Sequence, residues 1–206
     1  MRGSESSTVT SDHREARLEA VPVVLVAIAL QVLLAVVSEQ NRWEIWELSW
    51  WIWLVLAGPE LALALYLLHG EDPHQLWLIA IMFGGNALYL TALIGSILNG
   101  HEPDGRQLLL KGVAVWATNV AAFGLAFWEL DHRTGDKMFQ FPQHGDEEWR
   151  PRLFDYVYVS FTNSITFGPT DAMPLSRRAK LLMLVESAVS AIAILLVAAR
   201  SVNIFR

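Results

Sequence analysis

The feature that most constrains this chain is a series of long stretches almost free of charge. Five of them, residues 21–38, 50–68, 76–98, 108–130 and 179–204, take up more than half of the 206 residues. Each is close to the ~20 apolar residues needed to cross the hydrocarbon core of a bilayer. Lipid offers no hydrogen bonds, so a crossing segment must satisfy its backbone internally, as a helix does. The expected class is therefore an all-α integral membrane protein with about five transmembrane helices, multi-pass in the cell membrane. A charged fraction of 17%, against about 25% for an average soluble domain, points the same way.

Composition closes several other routes. There is no cysteine, which removes disulfides, thiolate zinc sites, iron–sulfur clusters and cysteine nucleophiles. A net charge of −6, with no basic stripe, is not a nucleic-acid footprint. The link 131–151 carries His132, Asp136, His144, Asp146, Glu147 and Glu148, but no pair has the spacing of a helical zinc site. We read it as solvated loop charge, which near a pore mouth can still concentrate cations. No nucleophile elbow or Gly-rich phosphate loop is present, and no Ser/His or Asp/Asp pair stands out within the spans. No enzyme, metal centre or cofactor is expected.

Three regions follow along the chain. Residues 1–20 form a polar tail with charges of both signs, unlike the short basic start and apolar core of a signal peptide. Residues 21–105 form a three-helix transmembrane region. Gln31 alone interrupts its first run, and Trp43, Trp46, Trp50, Trp51 and Trp53 crowd the entrance to the second as an interfacial aromatic belt. The short links 39–49, 69–75 and 99–107 make successive helices antiparallel neighbours. Gly84-Gly85 is read as a place where helices approach closely. Glu60 follows Pro59 in mid-span; a carboxylate there costs ~2.5–3.5 kcal/mol and must face the bundle interior or carry a proton. It reads either as an ion or proton site or as the hydrogen-bond partner of Asn86 or Asn119.

Residues 106–206 break the helical monotony. The link 131–178 contains an apolar stretch at 153–165 that is too short to cross and suits a re-entrant or interfacial element. It leads into Thr166-Phe167-Gly168-Pro169-Thr170-Asp171, then Met173-Pro174-Leu175-Ser176, the basic group Arg177-Arg178-Ala179-Lys180, and the last apolar run with Glu186 and Arg200. This succession resembles the pore module of the potassium-channel superfamily, in which a pore helix ends in Thr-Val-Gly-Tyr-Gly-Asp before an inner helix. Thr166, Gly168 and Asp171 match the first, third and sixth filter positions, and Pro174, Arg178, Glu186 and Arg200 match flanking landmarks. The chain is also similar to uncharacterised five-span bacterial membrane proteins with a channel-like loop, through Trp128-Glu129-Leu130-Asp131, Phe141-Pro142-Gln143 and Ser160-Phe161-Thr162. The resemblance implies an outer helix at 108–130, a pore helix at 153–165, a lining loop at 166–171 and an inner helix at 179–204. It also implies a homo-oligomer, by analogy a tetramer, passing monovalent cations through the lipid bilayer.

The chemistry of the loop stands beside that resemblance. A pore helix turns its carbonyl end toward the bundle axis, where it favours a cation, and carbonyls beyond it can replace a cation's water shell. Thr162 and Thr166 are four apart and share a helix face, and Gly168 can adopt backbone conformations closed to other residues. Yet Pro169 occupies the aromatic filter position and Thr170 the second glycine position. Proline fixes φ, and a β-branched residue resists positive φ. A four-ring carbonyl stack is not expected; the pore would be wide and weakly selective. Glu186 is read as structural, pairing with the pore-helix backbone or Arg178, and Arg200 as reaching to the interface. Two other functions fit the sequence: a non-conducting scaffold with a sealed loop, and a proton-coupled carrier centred on Glu60. Orientation stays open, because an outward-facing loop leaves ten of the 15 Lys and Arg outside, against the positive-inside rule.

Overall fold

The computed structural model describes residues 21–33, 35–37, 75–98, 105–133, 137–145, 149–166 and 172–204, together with Gly58, Leu61 and Ala62. They are mostly helical. Helix α1 covers Val21–Val37, α2 Gln75–Leu98, α3 Gly105–Arg133, α4 Leu153–Thr166 and α5 Arg177–Ile204. Two short strands, β1 at Phe139–Gln140 and β2 at Met173–Pro174, pair antiparallel with Phe139 opposite Pro174 and Gln140 opposite Met173. A 3₁₀ turn at Pro142–Gly145 follows β1.

The all-helical class holds. Two helices, Leu109–Arg133 and Arg177–Leu196, are long and apolar enough to cross a membrane, and they fall on the fourth and fifth runs of the sequence. The first and third runs are helical as α1 and α2; the second run, with its tryptophan belt and Glu60, lies almost entirely outside the described residues. The strand pair was not expected from the sequence. A two-residue strand leaves no periodicity to read.

Local chemistry sets the helix ends. Ser176 caps α5, its Oγ accepting the Ala179 N–H at 3.0 Å, as N-cap hydroxyls do. The Asp155 carboxylate accepts the Arg152 N–H at 2.7 Å while the Asp155 N–H donates to the Arg152 carbonyl at 3.0 Å, which pins the first turn of α4. At the end of α3, His132 Nδ1 lies 2.8 Å from the Trp128 carbonyl, so Nδ1 carries the proton there, since a carbonyl can only accept.

Helix α3 is the axis of the assembly. It packs on α2, α4 and α5, and 72% of its span is buried, against 28% for α5. An aromatic column grows from it. Phe83 of α2 meets Phe123 edge-on at 4.5 Å, Phe127 meets Phe139 of β1 at 5.1 Å, and Tyr156 of α4 meets Phe141 at 5.3 Å. Such pairs contribute about 0.5–1.5 kcal/mol each beyond their buried area. Val24 of α1 reaches the same core.

One carboxylate gathers the end of this column. Asp131 accepts the Met138 N–H and the Tyr156 hydroxyl, both at 2.5 Å, and the Met138 carbonyl accepts the Leu175 N–H at 2.9 Å. The start of α4, both strands and the entrance to α5 therefore meet at the same end of α3.

At Gly84 and Gly85 an added Cβ meets nothing within 4 Å among the described residues. A close helix approach does occur at Gly124, where a Cβ would stand 2.9 Å from the Val157 Cα of α4. Gly124→Val should cost about 1–3 kcal/mol by overpacking, whereas Gly84→Ala should be neutral or gain up to ~1 kcal/mol of helix propensity. Thermal unfolding of the purified protein in detergent would show shifts of opposite sign.

Candidate functional site: a polar wedge between two long helices

Helix α4 has two unlike faces. Leu153, Tyr156, Val159, Ser160, Asn163 and Ser164 are buried, while Phe154, Tyr158, Phe161 and Ile165 are exposed. Both sets follow helical spacing. The buried face is apolar in its first two turns and polar afterwards, so the far half of α4 is held by hydrogen bonds.

Those bonds reach both neighbours. On the α3 side, the Ser160 hydroxyl lies 2.8 Å from the Val120 carbonyl, and Trp116 Nε1 donates to Ser164 Oγ at 3.1 Å. With Gly124 against Val157, these pairs advance almost residue for residue, so α4 runs antiparallel along α3. On the α5 side, Asn163 Nδ2 donates to Glu186 Oε2 at 2.7 Å and to the Met183 carbonyl at 3.0 Å. Ser160 Oγ also contacts Glu186 Oε1, and Ser187 Oγ lies 3.4 Å from the Asn163 carbonyl. Asn119 Nδ2 donates to Ser190 Oγ at 3.2 Å and joins α3 directly to α5. Ser160, Ser164, Glu186 and Ser190 are all 0% exposed. Polar groups this deep are costly unless satisfied, and together they form one satisfied seam.

The residues singled out from sequence separate accordingly. Glu186 and Asn119 are in the seam. Glu186 is bound to side chains of α4 rather than to its backbone, and Arg178 is exposed. The Thr162 hydroxyl lies 2.9 and 3.0 Å from the Tyr158 and Val159 carbonyls of its own helix. Asn86 is buried in α2, and its Nδ2 has no partner among the described residues. Thr166 is the last residue of α4; its side chain, with Phe167, Gly168, Pro169, Thr170, Asp171 and Glu60, lies outside the described residues. Of the acid and histidine link, His132 is described, and among the described residues no group of three His, Asp or Glu is placed to hold a metal.

Sequence reasoning took Ser160 only as part of a resemblance and passed over Asn163, Ser164, Ser190, Trp116 and Tyr156. A signal did exist for the first four. Ser160, Asn163 and Ser164 recur at helical spacing in one short run, and Glu186 and Ser190 recur at the same spacing in the next.

Tyr156 marks the upper limit of the wedge. Burial, then its bond to Asp131, then the charges of Asp131 and Asp155 push its phenol up from the ordinary tyrosine value. The phenol therefore remains a donor. Its contribution is in force below the usual phenol range near ~10 and fades only above it. Tyr156→Phe should cost about 1.5–3 kcal/mol, the range for a hydrogen bond to a charged group. The difference in melting temperature from the parent should stay constant through neutral and mildly alkaline pH. Asn163→Ala leaves the Met183 carbonyl and Glu186 short of a donor and should cost about 1–3 kcal/mol, read from the same melts.

Comparison with protein-family models, curated proteins and solved structures returns no match for this chain.

Proposed function

We propose that this chain is the subunit of an oligomeric, potassium-channel-like pore in the cell membrane, conducting monovalent cations with weak discrimination. In this reading the chain crosses the bilayer about five times. Helix α3 is the outer helix, α4 the re-entrant pore helix, residues 166–171 the lining loop and α5 the inner helix.

The observation that carries the reading is the seating of α4. A helix of 14 residues is about 21 Å long, short of the ~30 Å hydrocarbon core. It descends along a long apolar helix with its polar face bonded to both neighbours, and its start lies at the same end of α3 as the entrance to α5. Irregular backbone beyond such a helix tip is tolerated at membrane depth only against protein or a wet cavity. The carbonyl end of α4, worth roughly half a negative charge, makes that cavity favourable for a cation. Carbonyls of residues 166–171 would then stand in for water around the ion. Pro169 and Thr170 in place of the filter's aromatic and second glycine support weak selectivity.

One α3–α4–α5 unit cannot enclose an axis, so the pore requires several copies, by analogy four. The exposed α4 stripe of Phe154, Tyr158, Phe161 and Ile165 is available to a neighbouring subunit.

Purified protein in liposomes should pass K⁺ and Na⁺ at rates within about one order of magnitude of each other, a difference of about 1.4 kcal/mol in barrier, and native mass spectrometry in detergent should give a tetramer. Absence of flux at every voltage and pH from a protein that is still tetrameric would overturn conduction and leave a non-conducting scaffold. A monomer would overturn the pore itself.

A further inference from the structure

The hydrogen bonds around Glu186 do not balance unless Glu186 itself carries a proton. Asn163 Nδ2 faces the Met183 carbonyl, which can only accept, so the orientation of the amide is fixed and its two protons go to Met183 and to Glu186 Oε2. Ser160 Oγ touches two acceptors, the Val120 carbonyl at 2.8 Å and Glu186 Oε1, and a hydroxyl has one proton. Four contacts are made, and Ser160 and Asn163 supply three protons.

We propose that Glu186 is a resident proton site: its carboxyl is a neutral acid whose Oε1–H donates to Ser160 Oγ, while the Ser160 hydroxyl donates onward to the Val120 carbonyl. The chain Glu186 to Ser160 to Val120 then fastens α5 to α4 and α4 to α3 in one direction. Every donor has one acceptor, and Oε2 remains the carbonyl-type oxygen that receives Asn163.

The surroundings agree with an uncharged acid. Glu186 is 0% exposed. From α3 it faces the Val120 carbonyl through Ser160, from α4 Ser160 and Asn163, and on α5 Met183 and Ser190 flank it. Among the described residues no Lys, Arg or His pairs with it. A carboxylate buried without a cation would be strongly disfavoured, and the usual outcome is neutralisation by a proton. The carbonyl of Val120 lies one helical turn before Gly124, at the close approach of α4, so the fastener and the tightest backbone contact share one level of the bundle. The assignment rests on this packing and holds whether or not the assembly conducts.

Infrared difference spectroscopy on the full-length purified protein tests it. At neutral pH the parent-minus-Glu186→Gln difference should show a positive carbonyl stretch of a protonated carboxylic acid and no positive carboxylate stretches. Ser160→Ala, which removes the acid's acceptor, should move that band to higher frequency and serves alone should Glu186→Gln fail to fold. Positive carboxylate stretches in the parent-minus-Glu186→Gln difference, or an acid band unmoved by Ser160→Ala, would overturn the proposal.

Discussion

The polar seam between α4 and its two neighbours is the constraint on which the rest of this structure depends. A short helix that stops inside a bundle leaves its last carbonyls and any polar side chains without water, and each unpaired group costs about 1–3 kcal/mol. Ser160, Asn163 and Ser164 point that cost inward, where Val120, Trp116, Met183 and Glu186 meet it. Aliphatic residues at those positions would give α4 little directional preference, because apolar burial is non-directional. Hydrogen bonds supply the register that hydrophobicity cannot.

The upper half of the wedge is held differently. There the contacts are aromatic, and the carboxylate of Asp131 sits beyond the apolar part of α3 and accepts from both the strand segment and α4. The two halves divide the labour. The Asp131 clasp fixes where α4 enters, and the seam fixes how far down and in what rotation it lies. Gly124 lets the two helix backbones come close enough for both to act on the same face. The apolar stripe of α4 and the largely exposed flank of α5 are left over by this arrangement as exposed apolar surface.

The helical class and the positions of two long helices were legible because the apolar runs are long. The α3 and α5 runs were placed within a few residues, and the short element at 153–165 was set apart by its length. The ends shifted because caps, not hydropathy, decide them: Ser176 starts α5 at Arg177, ahead of the apolar run, and α3 continues past the last apolar residue to His132 and Arg133. The partners within the site were far less legible. Glu186 stands out in any reading, but its partner depends on how α4 is rotated; the sequence pointed to the pore-helix backbone or Arg178, whereas the partners are the Ser160 and Asn163 side chains. Gly84-Gly85 drew attention because paired glycines are conspicuous, whereas contact is decided by what faces a glycine, and among the described residues it is the single Gly124 that faces a neighbouring backbone, that of Val157. The strand pair left no trace, since two residues carry no period.

The proposed arrangement stands on α4 converging with its counterparts around a shared axis. The chain has no cysteine, so Ile165→Cys, on the exposed stripe at the tip of α4, gives a single spin-label site per subunit. Pulsed electron–electron resonance in lipid should resolve two short inter-subunit distances, the side and the diagonal of a four-fold ring. An absence of inter-subunit coupling at this position, in protein that is folded and labelled, would contradict it.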